Sequence, residues 1–165
     1  MNNNDIVIRL RYALTISNAD MLKIFKLGGL EITNERLANI LKRQEKETVR
    51  DQNLSMEELE RFMNGLILSQ RGIKKDTAGQ PLPSTFDMQK EADINNVVLK
   101  KLKIAMMYTS ADYQSFFKSA GIEVSNAELS AVLRRPDHRN YRPAGNRYLR
   151  NILKGMALEY RQKKA

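Results

Sequence analysis

The stretch "FKLGGLEITNERLANILKR", residues 25–43, recurs as "FKSAGIEVSNAELSAVLRR", residues 117–135, 92 positions further along the chain. The likeness extends without a gap over 34 positions, in which residues 10–43 align with residues 102–135 and 12 pairs are identical. It resumes at a shift of 90 positions, where residues 59–71 align with residues 149–161. Self-similarity at a fixed spacing is the signature of a duplicated structural unit.

Each copy has the pattern of four helices. The first helix carries apolar residues at i, i+1, i+4, i+7 and i+8, starting at Ile6 in one copy and at Val98 in the other, which describes one face of an amphipathic helix. Other helices begin at hydroxyl residues that can cap their first N–H groups. Ser17, Ser55 and Thr109 are each followed, three residues later, by an acid that can complete the cap.

Glycines and further caps mark the remaining helix ends. Gly29 and Gly121 are expected to end the second helix of each copy, because glycine adopts the left-handed conformation at little cost. The third helices are expected to begin at Thr33 and Ser125. The spacing from Ser125 to Glu128 predicts a complete capping box.

Two acids, Glu31 and Glu123, also repeat, each two residues after a glycine turn. We expect them to bind backbone N–H groups or to pair with the arginines that repeat with them, Arg43 and Arg135. Either role is structural.

No stretch alternates between apolar and polar residues for long enough to predict a strand. We therefore predict an all-α protein in which two tandem copies of a four-helix unit pack together about a pseudo-twofold axis. The copies span residues 1–71 and 95–165, and residues 72–94 form a linker rich in Gly, Pro and polar side chains. The linker is expected to be exposed, with contacts to the surface through Phe86 and Met88.

Composition excludes several classes of function. The chain has 165 residues, no Cys and one His, so it has no disulfide framework and no thiolate metal site. Its start lacks the charged and apolar regions of a signal peptide, and no apolar run is long enough to span a membrane. No metal cluster, phosphate loop or catalytic motif is recognisable. We expect a cytoplasmic protein without cofactor, metal or membrane partner.

Charge is divided unevenly between the two copies. Residues 1–95 hold 14 Lys and Arg with 14 Asp and Glu, whereas residues 96–165 hold 14 Lys and Arg with 5 Asp and Glu. The whole net charge of +9 therefore lies in the second part. Such asymmetry favours an anionic partner for the second copy.

The excess cations concentrate on the fourth helix of the second copy and on the loop before it. On a helical wheel the four cations of this helix fall within about 60° of one another. Arg guanidinium groups bind phosphates, and Tyr or His rings can stack on unpaired bases. The candidate residues for binding RNA or DNA backbones are Arg134, Arg135, His138, Arg139, Tyr141, Arg142, Arg147, Arg150, Lys154 and Arg161. The equivalent helix positions of the first copy hold Glu57, Glu60, Asn64 and Arg71.

Other functions remain open at this stage. The acidic fourth helix of the first copy and the basic one of the second could serve as docking faces of a protein–protein adapter, or pair head to tail between molecules. Residues 20–43 have a loose likeness to a helix-turn-helix DNA-binding module, although the turn is longer than usual. His138 could act as a general base oriented by Asp137 or Asn140, but no nucleophile or carboxylate pair accompanies it, and a structural role in a turn is favoured. The sequence favours a non-enzymatic binding module, with no catalytic residue assigned.

Three short stretches carry a resemblance to a known family. "NNVVLKKLKIA" (residues 95–105), "RRPDHRNYR" (residues 134–142) and "FMNGLI" (residues 62–67) resemble the YehS-like proteins, small bacterial proteins with a duplicated domain of unknown function. The resemblance covers both copies and implies a bacterial, helical, cytoplasmic protein. It supplies no established activity, cofactor or catalytic residue. Its most specific marks are the Asn-Gly of the third stretch and the residues Pro136, Asp137, His138 and Asn140. Residues 44–53 and the linker depart from the family's pattern.

Overall fold

The computed structural model describes residues 1–42 and 54–162 of the chain. Within these ranges it contains helices and no strand, which confirms the all-α prediction. A short 3₁₀ turn, Glu91–Asp93, precedes the fifth helix, and one antiparallel bridge joins Lys75 to Pro81 in the linker. The helices are α1 (Asn3–Leu14), α2 (Asn18–Leu27), α3 (Asn34–Leu41), α4 (Met56–Arg71), α5 (Ile94–Met106), α6 (Ser110–Ser119), α7 (Asn126–Leu133) and α8 (Asn146–Gln162).

Helix lengths and backbone angles repeat between the two copies, as the sequence does. Helices α2 and α6 both have 10 residues, and α3 and α7 both have 8. Thr15 and Met107, which end the first helix of each copy, adopt left-handed φ angles of 53° and 58°. Gly29 and Gly121 have φ angles of 91° and 84°, as their place after the second helices predicts. Helices α1–α4 and α5–α8 are therefore two copies of one unit.

The predicted helix caps form, but two of them lack the return bond from the acid. Ser17 accepts from the N–H of Asp20 at 3.1 Å, and the described contacts include no return bond there. The side chain of Ser55 accepts a hydrogen bond from the N–H of Glu58, whose carboxylate binds the N–H of Ser55 in return. Thr109 makes the same reciprocal cap with its own acid. Ser125 accepts from the N–H of Glu128 at 3.2 Å, but the described contacts include no return bond, so the complete capping box predicted there is wrong.

The two copies exchange their first helices. Helix α1 packs mainly against α8, and α5 packs mainly against α4, while α2 lies on α4 and α6 lies on α8. The first helix of each copy therefore rests on the fourth helix of the other copy, in a pseudo-twofold arrangement. Buried apolar residues of both copies form one continuous core, which includes Leu10, Phe62, Leu102 and Leu153.

One glycine in each fourth helix allows a close helix crossing. A Cβ atom added to Gly65 of α4 would lie 1.8 Å from the carbonyl oxygen of Ile24 in α2. A Cβ atom added to Gly155 of α8 would lie 1.6 Å from the carbonyl oxygen of Phe116 in α6. Any side chain at either position would separate the helices, so both crossings require glycine.

Buried asparagines fix the start of each fourth helix. The Oδ1 atom of Asn4 accepts from the N–H of Leu54, and the Oδ1 atom of Asn96 accepts from the N–H of Ala144, both at 2.8 Å. Asn3 donates to the carbonyl oxygen of Leu54 at 2.9 Å, and Asn95 donates to that of Ala144 at 3.0 Å. These bonds satisfy backbone groups that would otherwise be buried without partners. No helix in the described part of the chain is long and apolar enough to cross a membrane.

Candidate nucleic-acid interface

Three cations of helix α8 form one exposed face. Arg147, Arg150 and Lys154 are exposed, whereas Leu149 and Ile152 of the same helix are buried in the core. Spacings of three and four residues place the three cations next to one another on the helix surface. Their side chains make no ion pair or hydrogen bond with any residue of 1–42 or 54–162. We call these three residues the α8 basic face.

Arg161 continues the basic face but is tied to α1. Its Nη2 atom donates to the carbonyl oxygen of Tyr12 at 3.1 Å, and its guanidinium carbon lies 3.6 Å from the centre of the Tyr12 ring. A cation held this close over an aromatic face is attracted by the ring quadrupole. Arg161 is exposed and can contact a ligand from this position, with less freedom than its neighbours on α8.

The loop between α7 and α8 is held by its backbone and leaves its charged side chains outside. The N–H of Arg142 donates to the carbonyl oxygen of Ala131, and the carbonyl oxygen of Arg142 accepts from the Nδ2 atom of buried Asn96. The side chains of Arg139 and Arg142 are exposed and have no partner among the described residues, and Arg134 is half-buried. The loop therefore presents cations from a fixed backbone.

Arg135 is partly neutralised within the same loop. Its Nη2 atom lies 3.3 Å from the Oδ2 atom of Asp137, in an ion pair that is exposed on both sides. This contact corrects the expectation that Arg135 pairs with Glu123. The equivalent expectation for Arg43, together with the family comparison at residues 44–53, lies outside the described residues.

His138 takes part in a turn. Its Nδ1 atom accepts the backbone N–H of Asn140 at 3.1 Å, and its own N–H donates to the carbonyl oxygen of Arg135 at 3.0 Å. The side chain of Asp137 binds Arg135 and does not orient the imidazole. Among the described residues, no group of three His, Cys, Asp or Glu side chains is placed to hold a metal ion. The geometry around His138 is that of a turn residue.

Tyr141 lies apart from the α8 basic face. It is half-buried beside α5, where the Nζ atom of Lys100 lies 5.9 Å from the centre of its ring. Together with Arg135 it lines a cleft between the loop, the linker and α5. The ten candidate residues therefore divide into three groups. Four belong to the α8 basic face and Arg161, four to the loop (half-buried Arg134 and exposed His138, Arg139 and Arg142), and two border the cleft (Arg135 and Tyr141).

The equivalent face of α4 is covered by the linker. Glu60 and Asn64 are 1% and 2% exposed, so the expectation that they form an exposed stripe is wrong. The Glu60 carboxylate accepts the N–H groups of Asp87 and Met88 at 2.7 and 2.9 Å, and the Nδ2 atom of Asn64 donates to the carbonyl oxygen of Thr85 at 3.0 Å. The linker contacts α4 at both expected residues: Met88 is buried, and the exposed Phe86 lies under the guanidinium of Arg61.

A buried lysine completes the contact between the linker, α4 and α5. The Nζ atom of Lys101 lies 3.0 Å from the Glu60 carboxylate, 2.5 Å from the Oδ1 atom of Asn64 and 2.7 Å from the carbonyl oxygen of Thr85. Sequence reasoning missed this cluster because Glu60 and Asn64 fall on the polar side of their helix. The signal available was the consecutive Lys100 and Lys101 on a helix that otherwise presents an apolar face to the core.

Comparison with known proteins gives the family. Residues 3–72 and 95–162 each match the family described as "Protein of unknown function (DUF1456)". The chain belongs to this family. It is also 36% identical, over 164 residues and 99% of both chains, to "Uncharacterized protein YehS" of Escherichia coli (strain K12). No solved structure gives a significant match. The resemblance to YehS-like proteins with a duplicated domain is therefore confirmed.

The structure explains one family mark of this DUF1456 protein in physical terms. In the Asn-Gly pair of α4, Asn64 binds the linker and Lys101, while Gly65 permits the crossing of α2 over α4. Its second mark, at Pro136 and Asp137, forms part of the cleft wall. Asn64 of the first mark and Pro136 and Asp137 of the second thus line the same cleft.

Proposed function

We propose that this DUF1456 protein is a non-enzymatic binding module that holds the sugar-phosphate backbone of a nucleic acid on the α8 basic face. The observation that carries the proposal is that Arg147, Arg150 and Lys154 are exposed, adjacent and without a carboxylate partner among the described residues. Arginine forks and lysine ammonium groups are the usual protein partners of phosphate oxygens.

The length of the α8 basic face together with Arg161 supports a chain-like ligand. From Arg147 to Arg161 the α8 helix rises about 21 Å, at roughly 1.5 Å per residue. This length corresponds to about six phosphates at the roughly 3.4 Å spacing along one strand of a duplex. Exposed loop cations such as Arg139 and Arg142 add charge in the same half of the chain. If about five cations contact phosphates, the logarithm of the association constant should fall with the logarithm of salt concentration with a slope of about −4 to −5.

The test is fluorescence anisotropy with labelled mixed-sequence oligonucleotides, single-stranded and duplex. Simultaneous replacement of Arg147, Arg150 and Lys154 by Glu should abolish binding at moderate salt, because phosphates are then repelled. The matched control replaces Lys23, Lys26 and Lys118 by Glu. Three reversals lower the net charge from +9 to +3 in both variants, and all three control positions are exposed. Equal loss in the two variants would show that net charge alone governs binding, and unchanged affinity in the first would refute the proposal.

A protein partner is the alternative. The unpaired α8 basic face would equally fit an acidic surface of another protein or of a second copy. On α4, however, Glu60 is buried, and the exposed Glu57 already pairs with Arg61 at 3.0 Å. Helix α4 therefore offers little free negative charge to the α8 basic face of another molecule. Light scattering at increasing ionic strength distinguishes the cases. Head-to-tail association predicts a salt-sensitive oligomer that the triple Glu variant abolishes, whereas the nucleic-acid proposal predicts a mass that is independent of salt.

A further inference from the structure

A cleft lies beside the contact between the linker and α4, and it is lined by α4, the linker, α5 and the α7–α8 loop. Its volume is about 980 Å³, which is at the upper end of the usual range for small-molecule sites. The walls come from both copies and from the linker.

Side chains of α4, α5 and the linker form an apolar wall of the cleft, and two of them are exposed. Ile67 and Leu68 of α4 and Val97 of α5 line it. Leu82 of the linker and Ile104 of α5 also line it and are 41% and 54% exposed. Large aliphatic side chains that converge in a concave surface are typical of a site that receives the apolar part of a ligand.

Lys100 is the half-buried cation of this cleft that has no hydrogen-bond or ion-pair partner among the described residues, whereas Lys74 and Lys90, which also line the cleft, are exposed. Its side chain is half-buried and makes no hydrogen bond or ion pair with any residue of 1–42 or 54–162. Burial lowers the pKa of Lys100, the charge of Arg135 lowers it further, and Asp87 and Asp93 oppose this shift. The neighbouring lysine, Lys101, is fully engaged by Glu60 and the linker.

The carboxylates near Lys100 are already used by other groups. Asp93 accepts the N–H groups of Gln89 and Lys90 at 3.0 and 3.1 Å, and Asp87 accepts the hydroxyl of Thr85 at 2.8 Å. The third carboxylate of the cleft, Asp137, pairs with Arg135. A partly desolvated ammonium beside an aromatic ring and an apolar wall is thus left for an anion from outside.

Equivalent positions show that the fold does not require this lysine. Lys100 corresponds to Ile8 of α1 at the shift of 92 positions, so an apolar residue satisfies the same place in the duplicated unit. From the cleft's size, its apolar wall and this unpaired cation, we propose that it binds a small amphiphilic anion. The apolar body of the ligand lies on Ile104 and beside Tyr141, and its carboxylate, sulfonate or phosphate group binds the Lys100 ammonium.

The test uses 8-anilinonaphthalene-1-sulfonate, a fluorescent amphiphilic anion, titrated into the folded full-length protein. We expect one saturable site per chain. Lys100→Gln should weaken binding by about tenfold, the size of one charge-assisted hydrogen bond, whereas Lys100→Arg should retain it. Ile104→Glu should abolish binding, because it places a negative charge on the apolar wall. The matched control, Lys118→Gln, removes one exposed charge elsewhere and should change nothing.

Two further arms separate this site from the α8 basic face. The triple Glu variant of the basic face should bind the dye as the native protein does, so the two proposals can fail independently. Naphthalene-2-carboxylate should displace the dye and the neutral naphthalene-2-carboxamide should not. The absence of a one-to-one site, equal binding by the Lys100→Gln variant, or equal displacement by the amide would overturn the proposal.

Discussion

Helices α4 and α8 occupy equivalent positions in the duplicated unit, yet in the described part of the chain the outer face of α4 is covered and that of α8 is exposed. On α4, Glu60 and Asn64 are buried beneath residues 85–88 of the linker. On α8 the equivalent residues, Arg150 and Lys154, are exposed. In the same duplicated unit, the linker therefore covers the outer face of α4, whereas the equivalent face of α8 is cationic and exposed.

The chemistry of the two faces explains why the linker covers only one of them. The Glu60 carboxylate accepts two backbone N–H groups of the linker, and Lys101 balances its charge. Arginine at the equivalent position of α8 donates hydrogen bonds and accepts none, so it repels N–H groups and attracts acceptors. A polypeptide segment that presents backbone N–H groups, as residues 87 and 88 do, would be repelled there. Phosphate oxygens, which are acceptors, would be attracted.

The largest predicted effect tests the covered face. Lys101→Met leaves the Glu60 carboxylate buried without its cation, which should lower the free energy of unfolding by about 3–5 kcal/mol. The same replacement at the equivalent exposed face, Lys154→Met, should change it by less than about 0.5 kcal/mol. Urea unfolding followed by circular dichroism measures both.

A second variant tests whether the uncompensated charge of Glu60 causes this loss of stability. Adding Glu60→Gln to Lys101→Met removes the uncompensated charge and should restore part of the lost stability. Equal stability losses for Lys101→Met and Lys154→Met would remove the distinction between a covered and an open face.

The next effect tests whether the two copies are equivalent beneath their different surfaces. Gly65→Ala and Gly155→Ala each force a methyl group against a carbonyl oxygen, and each should lower stability by about 1–3 kcal/mol or more. Gly145→Ala is the control, because a Cβ atom there meets nothing within 4 Å. If one crossing tolerated alanine and the other did not, the two copies would not share the same packing.

The smallest predicted effect concerns the contact of Arg161 with Tyr12. Arg161→Ala removes a cation–π contact and a hydrogen bond at an exposed site, and should cost about 0.5–1 kcal/mol. The equivalent Arg71 has no such contact among the described residues, so Arg71→Ala should be close to neutral. Thermal unfolding of the two variants side by side measures the difference, and equal melting temperatures would contradict the contact.

Much of the fold follows from the sequence because helices are encoded locally. Hydroxyl caps such as Ser55 and glycine turns such as Gly29 depend on neighbours a few residues away, and the structure confirms them. The shift between the copies also predicted the pseudo-twofold relation. The duplication could not reveal that α1 rests on α8, because two copies of one unit bury the same residues whether their first helices are exchanged or retained.

The candidate site was predictable where side chains point away from the protein. Arg147, Arg150 and Lys154 could be assigned to one face from helical periodicity alone, and they are exposed. Glu60 and Asn64 have the same periodicity and are buried, because a segment more than 20 residues distant in sequence covers them. Periodicity describes a helix by itself and carries no information on which distant segment lies over its polar side.

The central claim is that the open face of α8 binds phosphates where the covered face of α4 binds the linker. The most direct test gives α8 the residues of α4, through Arg150→Glu with Lys154→Asn, and measures oligonucleotide affinity across a series of salt concentrations. Losing two phosphate contacts should make the logarithmic salt slope shallower by about 1.4–1.8 and weaken binding at every salt concentration. An unchanged slope and affinity would contradict the account.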